Sequence, residues 1–145
     1  MLRDPALIPL SHDHQHALAL CVLTDRALAG AGAADSVAPQ ARRILEQFDS
    51  EIRDHFEFEE QVLFPALATF PSVSDLVAEL TMEHRRIVSI VESLRSRGDR
   101  SVIQEFCEVL GQHVRKEERL LFEEAQRLLS REQLDAIGQA RLRGA

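Results

Sequence analysis

Residues 55–65 read HFEFEEQVLFP, and their spacing decides how the chain is organised. His55 and Glu59 lie four apart. On an α-helix, which rises about 1.5 Å per residue, they stack on one face about 6 Å from each other. Phe56, Phe58, Val62, Leu63 and Phe64 surround them, and Pro65 closes the stretch. A lone ionised carboxylate in an apolar core is costly or shifts its pKa until it is neutral. An imidazole and a carboxylate on a core-facing stripe therefore need a partner.

The pattern extends along the chain. Helical periodicity predicts a first helix from Ser11 to Leu28, broken by AGAGAAD, and a second from Ala38 to Leu67 with Pro39 in its first turn. Pro65 is expected to kink or end that helix. A third runs from Ser74 to Arg97 and a fourth from Val102 to Leu129. Ser130 to Gln133 (SREQ) reads as a capping box opening a short fifth helix, which is expected to fray into a disordered RLRGA tail. Strand and hairpin signals are weak. The expected fold class is all-α, an up-down four-helix bundle with a short C-terminal fifth helix. It forms a single domain over 1–145, with its core at about 8–128.

Three stripes face the centre of such a bundle. The second helix contributes Phe48, Ile52, His55, Glu59, Val62 and Ala66. The third contributes Leu76, Leu80, His84, Ile87, Val91 and Leu94. The fourth contributes Ile103, Phe106, Leu110, His113, Glu117 and Leu120. No stripe carries Lys or Arg. Two carboxylates and three imidazoles converging at mid-bundle point to a metal cation as counter-charge, and this donor set suits iron, manganese or zinc. Two carboxylates that can each bridge suit a pair of ions. The first helix offers His14, in line with Leu18 and Cys21, and His16, in line with Leu20 and Leu23; periodicity alone does not choose between them.

Composition narrows the function. The net charge of −7 and pI near 5.3 argue against a nucleic-acid partner. No apolar run approaches the roughly 18 residues of a membrane span. The N-terminus has no signal-peptide core, so the expected location is cytoplasmic. Cys21 and Cys107 are too few for a disulfide framework, and Cys107 is expected to be structural and unpartnered. With no Tyr, tyrosinate ligation is excluded. Glu57, Glu60, Lys116 and Glu118 read as solvated charge.

The order His14, His55-xxx-Glu59, His84, His113-xxx-Glu117, within DHQHAL, HFEFEEQVLFP, EHRRI and HVRKEERLLF, resembles the hemerythrin-like, or HHE cation-binding, domain over about residues 8–128. The resemblance implies a four-helix bundle around non-haem iron, two oxygen-bridged ions in most members, and it assigns the first-helix role to His14. The implied metal ligands are His14, His55, Glu59, His84, His113 and Glu117, with zinc or manganese as alternatives to iron. The implied partners are small ligands: oxygen, peroxide or nitric oxide. Weak peroxide-decomposing or nitric-oxide-handling activity, oxygen carriage, and iron sensing or storage all fit. A helical interaction protein without a functional metal is the alternative class.

Hemerythrin carries HxxxH on its third helix, where this chain has Val88, and HxxxxD on its fourth, where HxxxE fits and Glu118 is the residue five on. The missing imidazole is expected to leave both ions reachable, and a Val88→His side chain to restore the closure.

Overall fold

The computed structural model describes residues 2–30 and 32–144. Five helices follow one another: α1 (Ile8–Ala29), α2 (33–68), α3 (Pro71–Ser96), α4 (100–128) and α5 (Arg131–Gly144). Among the described residues there is no strand. Each of the first three packs on the next, and α1 packs on α4, which closes the bundle. α5 lies across one end and buries Leu134 and Ile137.

Local chemistry accounts for the boundaries. Pro9 sits in the first turn of α1, where its missing N–H is no loss, and this starts the helix earlier than Ser11. Gly32, at φ 75°, takes a left-handed conformation and precedes α2, which opens at residue 33, five before Ala38, so Pro39 lies inside the helix. Asp99 caps α4, its carboxylate accepting the Val102 N–H at 3.1 Å. The capping box at α5 is reciprocal: Gln133 N–H donates to Ser130 Oγ at 3.1 Å, and Ser130 N–H to Gln133 Oε1 at 2.9 Å. The expected fraying does not occur within the described residues. Helix α5 continues to Gly144, and Arg141 is held to Asp13 at 3.2 Å.

α2 and α4 are not regular throughout. π-helical turns interrupt α2 at Phe48–Ile52 and Glu59–Leu63, and α4 at Glu117–Leu121. In the last two, the Phe64 N–H donates to the Glu59 carbonyl and the Phe122 N–H to the Glu117 carbonyl, each five residues back. Such a turn inserts one residue into the helical phase. The core stripe therefore steps from Glu59 to Leu63 and Leu67, not to Val62 and Ala66. It steps from Glu117 to Leu121, leaving Leu120 52% exposed. Pro65 follows the second π turn, where the ladder is already rearranged, and the helix continues past it to Ala68. The phase shift has a direct check by denaturant unfolding. Leu121→Ala should cost about 2–5 kcal/mol, whereas Leu120→Ala should stay within about 0.5 kcal/mol.

The buried apolar side chains form two clusters. One runs from Ala17 to Leu28 on α1 through Ile44–Phe56, Ile87–Leu94 and Val102–Val114. The other gathers Leu7, Leu10, Leu63–Leu67, Val73–Leu80, Leu121–Leu129 and the two α5 anchors. Between them lies a layer of buried polar side chains.

Candidate metal centre

That layer consists of His14, His55, Glu59, His84, His113 and Glu117, each no more than 5% exposed. Their donor atoms fall into two overlapping groups: His14, His55, Glu59 and Glu117, and Glu59, His84, His113 and Glu117. Within each group the atoms lie within 4.8 Å of one another. Both carboxylates belong to both groups. His14 Nε2 stands 2.8 Å from Glu117 Oε1, and His84 Nε2 3.1 Å from Glu59 Oε1. His55 Nε2 is 3.4 Å from Glu59, and His113 Nε2 is 3.4 Å from Glu117.

These paired distances reveal a pseudo-twofold. The α1–α2 half superposes in role on the α3–α4 half, with His14 matching His84, His55 matching His113, and Glu59 matching Glu117. The outer partners obey the same symmetry. Asp13 accepts from His55 Nδ1 at 2.9 Å and Glu83 from His113 Nδ1 at 2.8 Å. Glu118 accepts from His14 Nδ1 at 2.5 Å and Glu60 from His84 Nδ1 at 3.1 Å. Three of these carboxylates are backed by a cation: Arg3 on Glu118, Arg141 on Asp13 and Lys116 on Glu83. Phe122 stacks on His14 at 5.3 Å and Phe64 on His84 at 5.4 Å, each directly after a π turn.

Glu60 and Glu118 are thus not merely solvated charge, and Glu83 serves His113 rather than its neighbour. The signal was in the sequence as a repeated H-x3-E-E-x2-L-F, at His55–Phe64 and again at His113–Phe122. The first Glu of each pair turns inward and the second reaches the histidine of an adjacent helix. Val88 is 41% exposed and points away from the layer, so a histidine there would not restore the hemerythrin closure. His16 is outside the buried layer and pairs with Glu51 at 2.7 Å. Cys107 does have a neighbour: it is free and buried like Cys21, both line one cleft between α1 and α4, and Cys107 together with burial pushes the Cys21 thiol up.

The chemistry of this donor set fits a cation. A carboxylate on each Nδ1 makes that nitrogen the donor, so a neutral ring turns a bare Nε2 lone pair inward. Two such atoms, His84 Nε2 and His113 Nε2, face each other at 3.1 Å. His55 Nε2, Glu59 Oε2 and Glu117 Oε2 are buried without any hydrogen-bond partner, three of the five such side-chain atoms among the described residues. In a metal-free protein, protons must substitute. Burial opposes charge on His113, but Glu117, Glu83 and Glu59 push its pKa up to about 10. Burial is likewise outweighed at His14 by Glu117 and Glu118, and at His55 by Glu59, Asp13 and Glu117; both are raised. Burial would raise Glu117, yet His113, His14 and His55 hold it well below the usual carboxylate range.

A bundle whose polar mid-layer supplies paired histidines and shared carboxylates defines a class, the helical-bundle metalloprotein with its site between facing helices. The model of the hemerythrin HHE cation binding domain matches residues 9–125, and the chain belongs to that family. Neither a curated protein nor a solved structure matches it. Family and buried cluster together mark a metal-binding site. No helix among the described residues is long and apolar enough to cross a membrane.

Proposed function

We propose that the chain holds two iron ions and presents one of them to a small ligand such as oxygen, peroxide or nitric oxide. Two donor groups sharing both carboxylates support the count of two, and the family supports iron. His14 and His55 would hold one ion, His84 and His113 the other, with Glu59 and Glu117 common to both. Ferrous iron would supply electrons and an open coordination position to the ligand.

The single observation that carries the small-ligand reading is a break in the pseudo-twofold. A cavity of about 10 Å³ lies beside His14, His55 and His113, walled by Ala17, Ile52, Phe56, Leu110 and Val114. That is room for about one water-sized molecule. Ala17 and Val114 occupy the positions that Ile87 and Phe56 hold in the other half. Phe56 stacks on His84 at 3.9 Å and fills the equivalent space. In place of the sequence-based expectation that both ions are reachable, this asymmetry supports one open side, next to His14 and His55. The apolar wall excludes bulk water and larger substrates, while the four Nδ1 partners keep each ring oriented.

The test is anaerobic reconstitution with ferrous iron, metal analysis, and stopped-flow mixing with oxygen or nitric oxide. The expected result is about two irons per chain and rapid reaction with both gases. A colour that forms in oxygen and reverses under vacuum would instead restore a carrier role, and background metal content would overturn the reading altogether. Val114→Phe should keep its metal and slow the gas reaction by about tenfold or more, since the ring would fill the space a ligand must occupy.

A further inference from the structure

The six donors are buried, His55 the most exposed at 5%, so an ion needs a path to them. We propose that Asp13, His16 and Glu51 form an outer holding site for a divalent cation on that path, an inference that rests on the buried centre binding metal.

The three side chains offer ligand atoms within 4.8 Å of one another. The His16 ring is 63% exposed, and Glu51 and Asp13 are progressively more enclosed, at 31% and 12%. They line a surface cleft together with Asp54, His55 and Arg141. Asp13, Glu51 and His55 also line the small cavity beside the buried cluster. The same side chains thus form the wall between cleft and cavity. One member of that wall is His55, whose buried Nε2 has no partner. An ion released inward would therefore meet an unsatisfied donor. Imidazole and carboxylate together take a divalent ion, and an exposed three-donor site would release it readily.

The pseudo-twofold supplies an internal control. In the other half, the positions of Asp13, His16 and Glu51 are occupied by Glu83, Arg86 and Val109. A guanidinium and an isopropyl group cannot hold a cation, so the outer site exists only on the side that has the cavity. Arg141 brings an opposing charge to this cleft. Its guanidinium bonds both Asp13 oxygens, at 3.4 and 3.2 Å, and must yield Asp13 before a cation can use it.

The probe is cobalt(II), which absorbs visibly once ligated. Full-length metal-free protein is mixed with it in a stopped-flow cell, and final content is measured by elemental analysis. The His16→Ala/Glu51→Gln double variant should load about tenfold or more slowly, because a lost focusing site lowers the capture rate, yet reach the wild-type content. Arg141→Gln should load faster than wild type. Equal loading rates for wild type and double variant overturn the route while leaving the buried centre intact. A double variant with reduced final content also overturns it, since these residues would then be ligands or supports of the centre itself. Wild-type protein that takes up no cobalt overturns the buried centre and the route together.

Discussion

Replacing Glu117 with alanine is expected to remove both ions, whereas replacing His84 with alanine is expected to remove only one. Glu117 belongs to both donor groups and contacts His14 at 2.8 Å and His113 at 3.4 Å. His84 belongs to the second group alone. Metal analysis after reconstitution reads the difference: content near zero for Glu117→Ala, and about half of wild type for His84→Ala. Circular dichroism on the same samples separates metal loss from unfolding. Equal content in the two variants would mean that the carboxylates do not bridge, and a two-ion centre would fail with them.

Metal removal should make stability strongly pH-dependent. In the metal-free protein His113 titrates at about 10, raised from an ordinary 6.5 against the opposing effect of burial, and His14 and His55 are raised as well. A raised folded-state pKa gives stability that is complete below the unfolded value near 6.5 and is lost as pH climbs through the folded value. Glu117, depressed by His113, His14 and His55 in spite of its burial, works in the other direction. Its contribution is present above the unfolded value of 4.5 and is lost as pH falls below that. Metal-free protein should therefore be most stable between those limits and lose a few kcal/mol or more by about pH 9. Bound ions hold the rings neutral, so loaded protein should lack the alkaline slope. Thermal melts at pH 6 and pH 9, with and without metal, give the check. Parallel melts for the two forms would show that the cluster does not couple metal to fold. Two carboxylates considered alone suggest that a vacant centre must protonate a glutamate. His14, His55 and His113 instead take up the protons, because each faces an acidic partner on both nitrogens.

The sequence by itself determined the bundle, the order of its helices and five of the six residues of the polar layer, His55, Glu59, His84, His113 and Glu117. All three are written in local spacing. A period near 3.6 sets each stripe, and His55/Glu59 and His113/Glu117 are neighbours on one helix whatever the tertiary arrangement. It also held, in the repeated H-x3-E-E-x2-L-F, the information that Glu60 and Glu118 have work to do. What those carboxylates touch was decided only by the tertiary structure, because each serves a histidine on a different helix. The π turns at Glu59 and Glu117 belong to the same category. A one-residue phase slip is invisible to a periodicity of 3.6, and only the packing of Leu63 and Leu121 against the lower core selects it over Val62 and Leu120. The choice of His14 over His16 turned on which face of α1 meets α4. The open side of the centre turned on Ala17 and Val114 standing opposite the places filled by Ile87 and Phe56. Side-chain volume at a symmetry-related position acquires meaning only when the two halves of the bundle are brought together.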